Sequence, residues 1–171
     1  MANYSGHVGQ GNLKFILSLM TVLLSSSLLG QGLQIYLVKA SPDFRESVKC
    51  NYCFELTDKI LFKSPLLEQS DIEFFDWESQ TIQLKKEGRE KIGKLKIPLQ
   101  GQAAAIVIDG KPIYGFWLWN ALSSFGCDRV YTYPTLNFKL DFGLPVEHAT
   151  GQDPRFDNRI KDGLVRERLM K

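Results

Sequence analysis

The sequence predicts an α+β domain: a mainly antiparallel sheet with one or two helices packed on one face, preceded by an N-terminal apolar segment. Three observations predict it. Thr81 to Lys85 alternates polar and apolar residues, as a half-solvated strand does. Ala103 to Ile108 is apolar on both faces and runs straight into Asp109-Gly110, a two-residue hairpin signal. Asp153-Pro154 then precedes a stretch in which Phe156, Ile160 and Leu164 recur every fourth residue, the pattern of an amphipathic helix.

The chain has 171 residues, 44% hydrophobic and 23% charged, which are ordinary values for one globular core. A formal charge of +2 gives no basic face of the kind that binds nucleic acid, so nucleic acid is not expected as a partner. Between Lys14 and Lys39 there is no charged residue, and Phe15 to Gly30 forms an apolar run behind that lone cation. Gly30-Gln31-Gly32 supplies the small residues a signal peptidase needs, so residues 1–32 read as a signal peptide and residues 33–171 as a single mature domain. The rival carries the apolar stretch through Val38, making residues 15–38 an uncleaved membrane anchor, although Gly30, Gln31, Gly32 and Gln34 interrupt it. Either way the domain is exported, periplasmic or extracellular, with membrane contact available through the N-terminal segment. A buried N-terminal helix of a cytosolic domain is the third alternative.

Leu33 to Lys39 reads as a first strand, and Ser41 to Cys53 as a polar connector. Phe54 to Phe62 fits neither period, and Lys63-Ser64-Pro65 ends it. Ile72 to Trp77 and Thr81 to Lys85 flank Glu78-Ser79-Gln80 and read as a hairpin. From Lys86 to Lys96 acidic residues come early (Glu87, Glu90) and lysines late, which suits a helix dipole. Ala103 to Ile108 is a central strand, and Lys111 to Trp119 returns antiparallel after Asp109-Gly110, with Pro112 at the strand start. Thr135 to Gly143 places Leu136, Phe138, Leu140 and Phe142 on one face. Pro145 to Gln152 is loop. Asp153 as N-cap and Pro154 at the first helical position open a C-terminal helix over about 153–171, whose basic side chains form a solvated face.

Candidate chemistry is sparse. Cys50-Asn51-Tyr52-Cys53 has the spacing of a redox pair, but no βαβ pattern surrounds it. In an exported chain, a local or long-range disulfide with one thiol of Cys50, Cys53 and Cys127 left over fits better. A zinc site would have to draw on these cysteines with His7 and His148, too few at workable spacing, so neither metal nor cofactor is expected. Ser123 and Ser124 lack a nucleophile elbow, and their only base would be His148, so the stretch to Asp128 reads as a turn. Tyr114, Phe116, Trp117 and Trp119, with Tyr131 and Tyr133, are the candidate contact surface, since Trp and Tyr join large area to a polar tip. A central strand buried on both faces would carry the same residues.

Ile82-Gln-Leu-Lys-Lys-Glu-Gly88, Lys91-Ile92 and Ala105-Ile-Val-Ile-Asp-Gly-Lys111 resemble, in that order, the soluble periplasmic head domain of the protein-export membrane subunit SecD, and Leu33 to Lys39 looks like that domain's first strand. The resemblance covers roughly residues 33–114 and fades at Gly115-Phe-Trp-Leu-Trp119. It implies an α+β head-type domain outside the cytoplasmic membrane, and it does not extend to translocase activity. The expected function is a non-enzymatic binding or interaction module of the cell envelope with a protein or peptide partner. The alternative is an envelope thiol-disulfide oxidoreductase using Cys50 and Cys53.

Overall fold

A computed structural model describes residues 32–171, and the apolar run with His7 lies outside the described residues. Seven strands form one sheet: β1 (Leu33–Leu37), β2 (Ile72–Asp76), β3 (Thr81–Leu84), β4 (Gln102–Ile108), β5 (Lys111–Leu118), β6 (Cys127–Tyr133) and β7 (Asn137–Leu144). Among the described residues two α-helices accompany them, α1 (Lys86–Gly93) and α2 (Asn158–Arg166). The strand order is β1-β4-β5-β6-β7-β3-β2. Every neighbouring pair is antiparallel except β5 and β6, which meet in parallel at Trp117–Tyr131 and Leu118–Thr132. The domain is therefore α+β with a mostly antiparallel sheet. Among the described residues no helix is long and apolar enough to cross a membrane, and Leu33–Leu37, part of the longer apolar stretch, is committed to the sheet.

Period-2 alternation explains why β4 is apolar throughout. Ala104, Ile106 and Ile108 pack into one core layer, while Ala103 and Ala105 pack into another on the opposite face. The first layer also takes Ile92 of α1 and Ile160 and Leu164 of α2, so both helices cover the same face. Among the described residues no α-helix covers the second face. It is covered by the connector after β1, through Val38, Tyr52, Phe54, Leu56, Ile60 and Leu61. This connector positions the candidate site.

Both sheet edges are closed by backbone rather than left as templates for another chain. At β1, Ile35 donates to Leu67 O at 2.9 Å and accepts from Leu66 N at 2.8 Å. At β2, Phe75 donates to Leu169 O at 2.7 Å and accepts from Lys171 N at 3.0 Å. The β4–β5 turn is as tight as Asp109-Gly110 predicts, with φ of 50° and 75° at its two central residues. A Cβ added at Gly110 meets nothing within 4 Å, so the cost of Gly110→Val is chiefly conformational. It is expected to lower stability by about 1 kcal/mol or more, read as a shifted urea midpoint.

Three elements differ from expectation. The first helix stops at Gly93, and Leu95 and Ile97 beyond it pack on the core from irregular chain. The C-terminal helix begins at Asn158 with Asp157, not Asp153, as its cap: the Asp157 carboxylate accepts from Arg159 N at 2.9 Å. Asp153 instead accepts from Arg155 N and its guanidinium, while Arg155 Nη1 donates to Leu140 O at 2.7 Å. That anchor ties residues 153–155 to β7 and delays the helix. Phe156 consequently lies outside it, 51% exposed, with its ring edge-on to Trp77. On β7, Phe138 and Leu140 are buried as expected, but Leu136 sits in the preceding turn at 71% exposure and Phe142 is only half-buried.

Candidate functional site

Five of the six aromatic residues expected at a contact surface are core instead, and the sixth packs against it. Phe116 and Trp119 are fully buried, Tyr114, Trp117 and Tyr131 nearly so, and Tyr133 is half-buried. They do not share a face either. Tyr114 and Phe116 pack on the helix side, whereas Trp117, Trp119, Tyr131 and Tyr133 pack on the connector side. The reason is position: β5 lies inside the sheet and both its faces are covered, so no aromatic on it is free to meet a partner.

Two of these aromatics, Trp117 and Trp119, seat the cysteine loop. Cys50 and Cys53 form a disulfide with their Cα atoms 5.4 Å apart, and Cys127 is left as a buried free thiol. Tyr52, between the paired cysteines, wedges its ring edge-on against Trp117 (centroids 5.0 Å apart) and Trp119 (5.2 Å). Trp117 Nε1 donates to Tyr52 O at 2.8 Å, which satisfies a buried indole. From the start of β6, the Asp128 carboxylate accepts from Asn51 N at 2.6 Å and Tyr52 N at 3.1 Å. Packing below and a carboxylate at the side thus fix the loop rigidly.

Beside the loop lies a cleft of about 500 Å³, walled by Lys49, Asn51 and Tyr52 from the connector, Cys127 and Asp128 from β6, and His148 and Thr150 from the segment after β7. It is also lined by two exposed aromatic rings, one of which, Phe44, packs edge-on against Tyr52 with centroids 5.7 Å apart. Phe44 (49% exposed) and Phe125 (39% exposed) stack with centroids 5.8 Å apart and planes 27° from parallel. Each is a lone aromatic in a polar stretch, Asp43-Phe44-Arg45 and Ser124-Phe125-Gly126, and that isolation is the sequence signal that marks them. Phe125 is held by a local brace: its N–H donates to Ser123 Oγ at 3.1 Å, and that hydroxyl donates to Leu99 O at 2.6 Å. Ser123 is thereby a turn residue, as expected, with its proton engaged on a carbonyl.

Burial pushes the Cys127 thiol up to about 12, so at neutral pH it is a small apolar group. In the native protein Cys127 is expected to resist a colourimetric thiol reagent, with one thiol per chain appearing only on unfolding; stoichiometric reaction of the folded chain would contradict this. Asp128 Oδ1 lies 3.6 Å from the Cys50 sulfur, where a carboxylate would oppose formation of a thiolate. Among the described residues no group of three or more His, Cys, Asp or Glu side chains stands together to hold a metal. Comparison of the chain with protein-family models, curated proteins and solved structures finds no match.

Proposed function

We propose that the protein is a non-enzymatic binding module of the cell envelope, similar in kind to a SecD head domain, which takes a protein or peptide partner in the cleft at Phe44 and Phe125. The carrying observation is the stacked, solvent-exposed aromatic pair at the mouth of that cleft, beside a wall fixed by disulfide and core packing. Exposed apolar surface at a concave, preorganised site is a common arrangement for ligand capture, and a cleft of this size falls in the range of about 300–1,000 Å³ typical of such sites. A disulfide with no catalytic surroundings suits an oxidising compartment, which agrees with export of the chain. The stretches that resemble SecD fall on β1, β3, α1, β4 and the turn into β5.

One observation favours the oxidoreductase instead: Cys53 is exposed and open to attack by an external thiolate. Against it, the pair opens no α-helix that would stabilise a thiolate, and Asp128 stands beside Cys50. Selection of random displayed peptides on the oxidised protein tests the binding role. Enrichment of a consensus sequence is expected, with insulin disulfides left unreduced in parallel assays. No enrichment together with catalytic insulin reduction would transfer the function to Cys50 and Cys53.

A further inference from the structure

The residue ahead of β1 is already part of the fold. Gly32 is buried and reciprocally bonded to the β4–β5 turn: its N–H donates to Asp109 Oδ1 at 3.2 Å, and Asp109 N donates to Gly32 O at 3.1 Å. The same carboxylate accepts from Arg166 at the end of α2. Gly32 has φ of 60°, and Gln69 Oε1 stands 1.5 Å from where a Cβ on it would lie. Gln69 is itself held, its Nε2 donating to Glu167 Oε2 at 3.1 Å. Backbone conformation and lack of side-chain space thus both select glycine here. Leu33, the next residue, is 1% exposed and pairs with Ile108. A cut between Gly32 and Leu33 would therefore discard a residue that the folded domain uses. Both hydrogen bonds of Gly32 would go, and the chain would begin with an ammonium on a buried residue.

From this we infer that Gly32 stays on the exported protein and that the bond hydrolysed on export is Ser27–Leu28, a processing site that rests on export of the chain and is independent of the cleft. The sequence meets the requirements there. Phe15 to Leu24 has the length of a signal core, about 7–15 residues, and Ser25-Ser26-Ser27 places small side chains third and first before the bond. Hydrolysis adds one water across that amide, leaving a carboxylate on Ser27 and an ammonium on Leu28. Residues 28–32 then remain ahead of β1, so the terminal charge is kept off Leu33 and Gly32 keeps its partners.

The test expresses the full chain in a bacterium with an intact export pathway and measures the intact mass of the protein recovered from the envelope. The mass of residues 28–171 is expected. The mass of residues 33–171 would overturn the inference and leave export standing, and full-length protein in the envelope would overturn it in favour of a retained anchor. Full-length protein in the cytosol would overturn export itself and this inference with it. Two variants separate the competing bonds, because a bulky residue first or third before a bond blocks its hydrolysis. Ser27→Phe is expected to leave the chain uncut. Gly30→Phe, which would block a cut before Leu33, is expected to leave processing unchanged, and the reverse pattern would overturn the assignment. A stability readout checks the role of Gly32 separately: Gly32→Ala should lower the melting temperature of the recovered protein by about 2–8 °C, since an alanine at this φ is strained and its Cβ meets Gln69. An unchanged melting temperature would show that the fold does not depend on Gly32, and would overturn the inference.

Discussion

Trp117→Ala is expected to destabilise the domain by about 3–5 kcal/mol, the range found when a fully buried large aromatic is truncated. The residue is 1% exposed, packs edge-on against Tyr52 and Phe54, and donates its indole N–H to Tyr52 O. Truncation removes the floor on which the disulfide loop rests and leaves the Tyr52 carbonyl without its donor. The cost therefore has a cavity component and a polar component, and the loop cannot collapse far because the disulfide and Asp128 hold it. Denaturant unfolding should show a large fall in the midpoint, with Trp117→Phe losing less because ring area is retained. A loss below about 1 kcal/mol for the alanine variant would mean that the second face of the sheet is not packed as described.

Truncation before Asp153 is expected to give an unfolded or insoluble chain. Ile160 and Leu164 are fully buried and Leu169 nearly so, and each contributes roughly 1.5–3 kcal/mol. Their combined loss is comparable to the whole stability of a typical domain, about 5–15 kcal/mol. The same cut strips the backbone pairing of Phe75 with Leu169 and Lys171, baring the β2 edge, and removes the Arg155 anchor on Leu140 O. Circular dichroism and the soluble yield check this. A truncated chain that kept its melting temperature would show that α2 contributes little to the core.

The parts of the fold legible in the sequence were those in which one local signal dominates. Thr81 to Leu84 alternates without interruption, and Asp109-Gly110 selects a turn that L-residues other than Asn, Asp and Gly resist. β6 was not legible, because its second and third residues, Asp128 and Arg129, are polar and their partners, the 50–53 loop and Thr150, are remote in sequence. The start of the C-terminal helix was misplaced for a similar reason: Asp153 and Asp157 both have cap chemistry, and the choice between them is made by Arg155 reaching β7. At the site, composition pointed to the aromatics of β5, and burial on both sides of that strand removed them from the surface. The exposed pair, Phe44 and Phe125, comes together only through tertiary packing across 81 residues of chain separation, and no local pattern encodes that.

The most direct measurement of the central claim, that the cleft beside the Cys50–Cys53 loop is the binding site, is the affinity of a selected peptide for the oxidised protein and for its Phe44→Ser/Phe125→Ser variant. Both side chains are exposed, so the double variant is expected to keep its melting temperature while losing at least about tenfold in affinity. Equal affinity for the two proteins would place the partner elsewhere on the molecule and contradict the account.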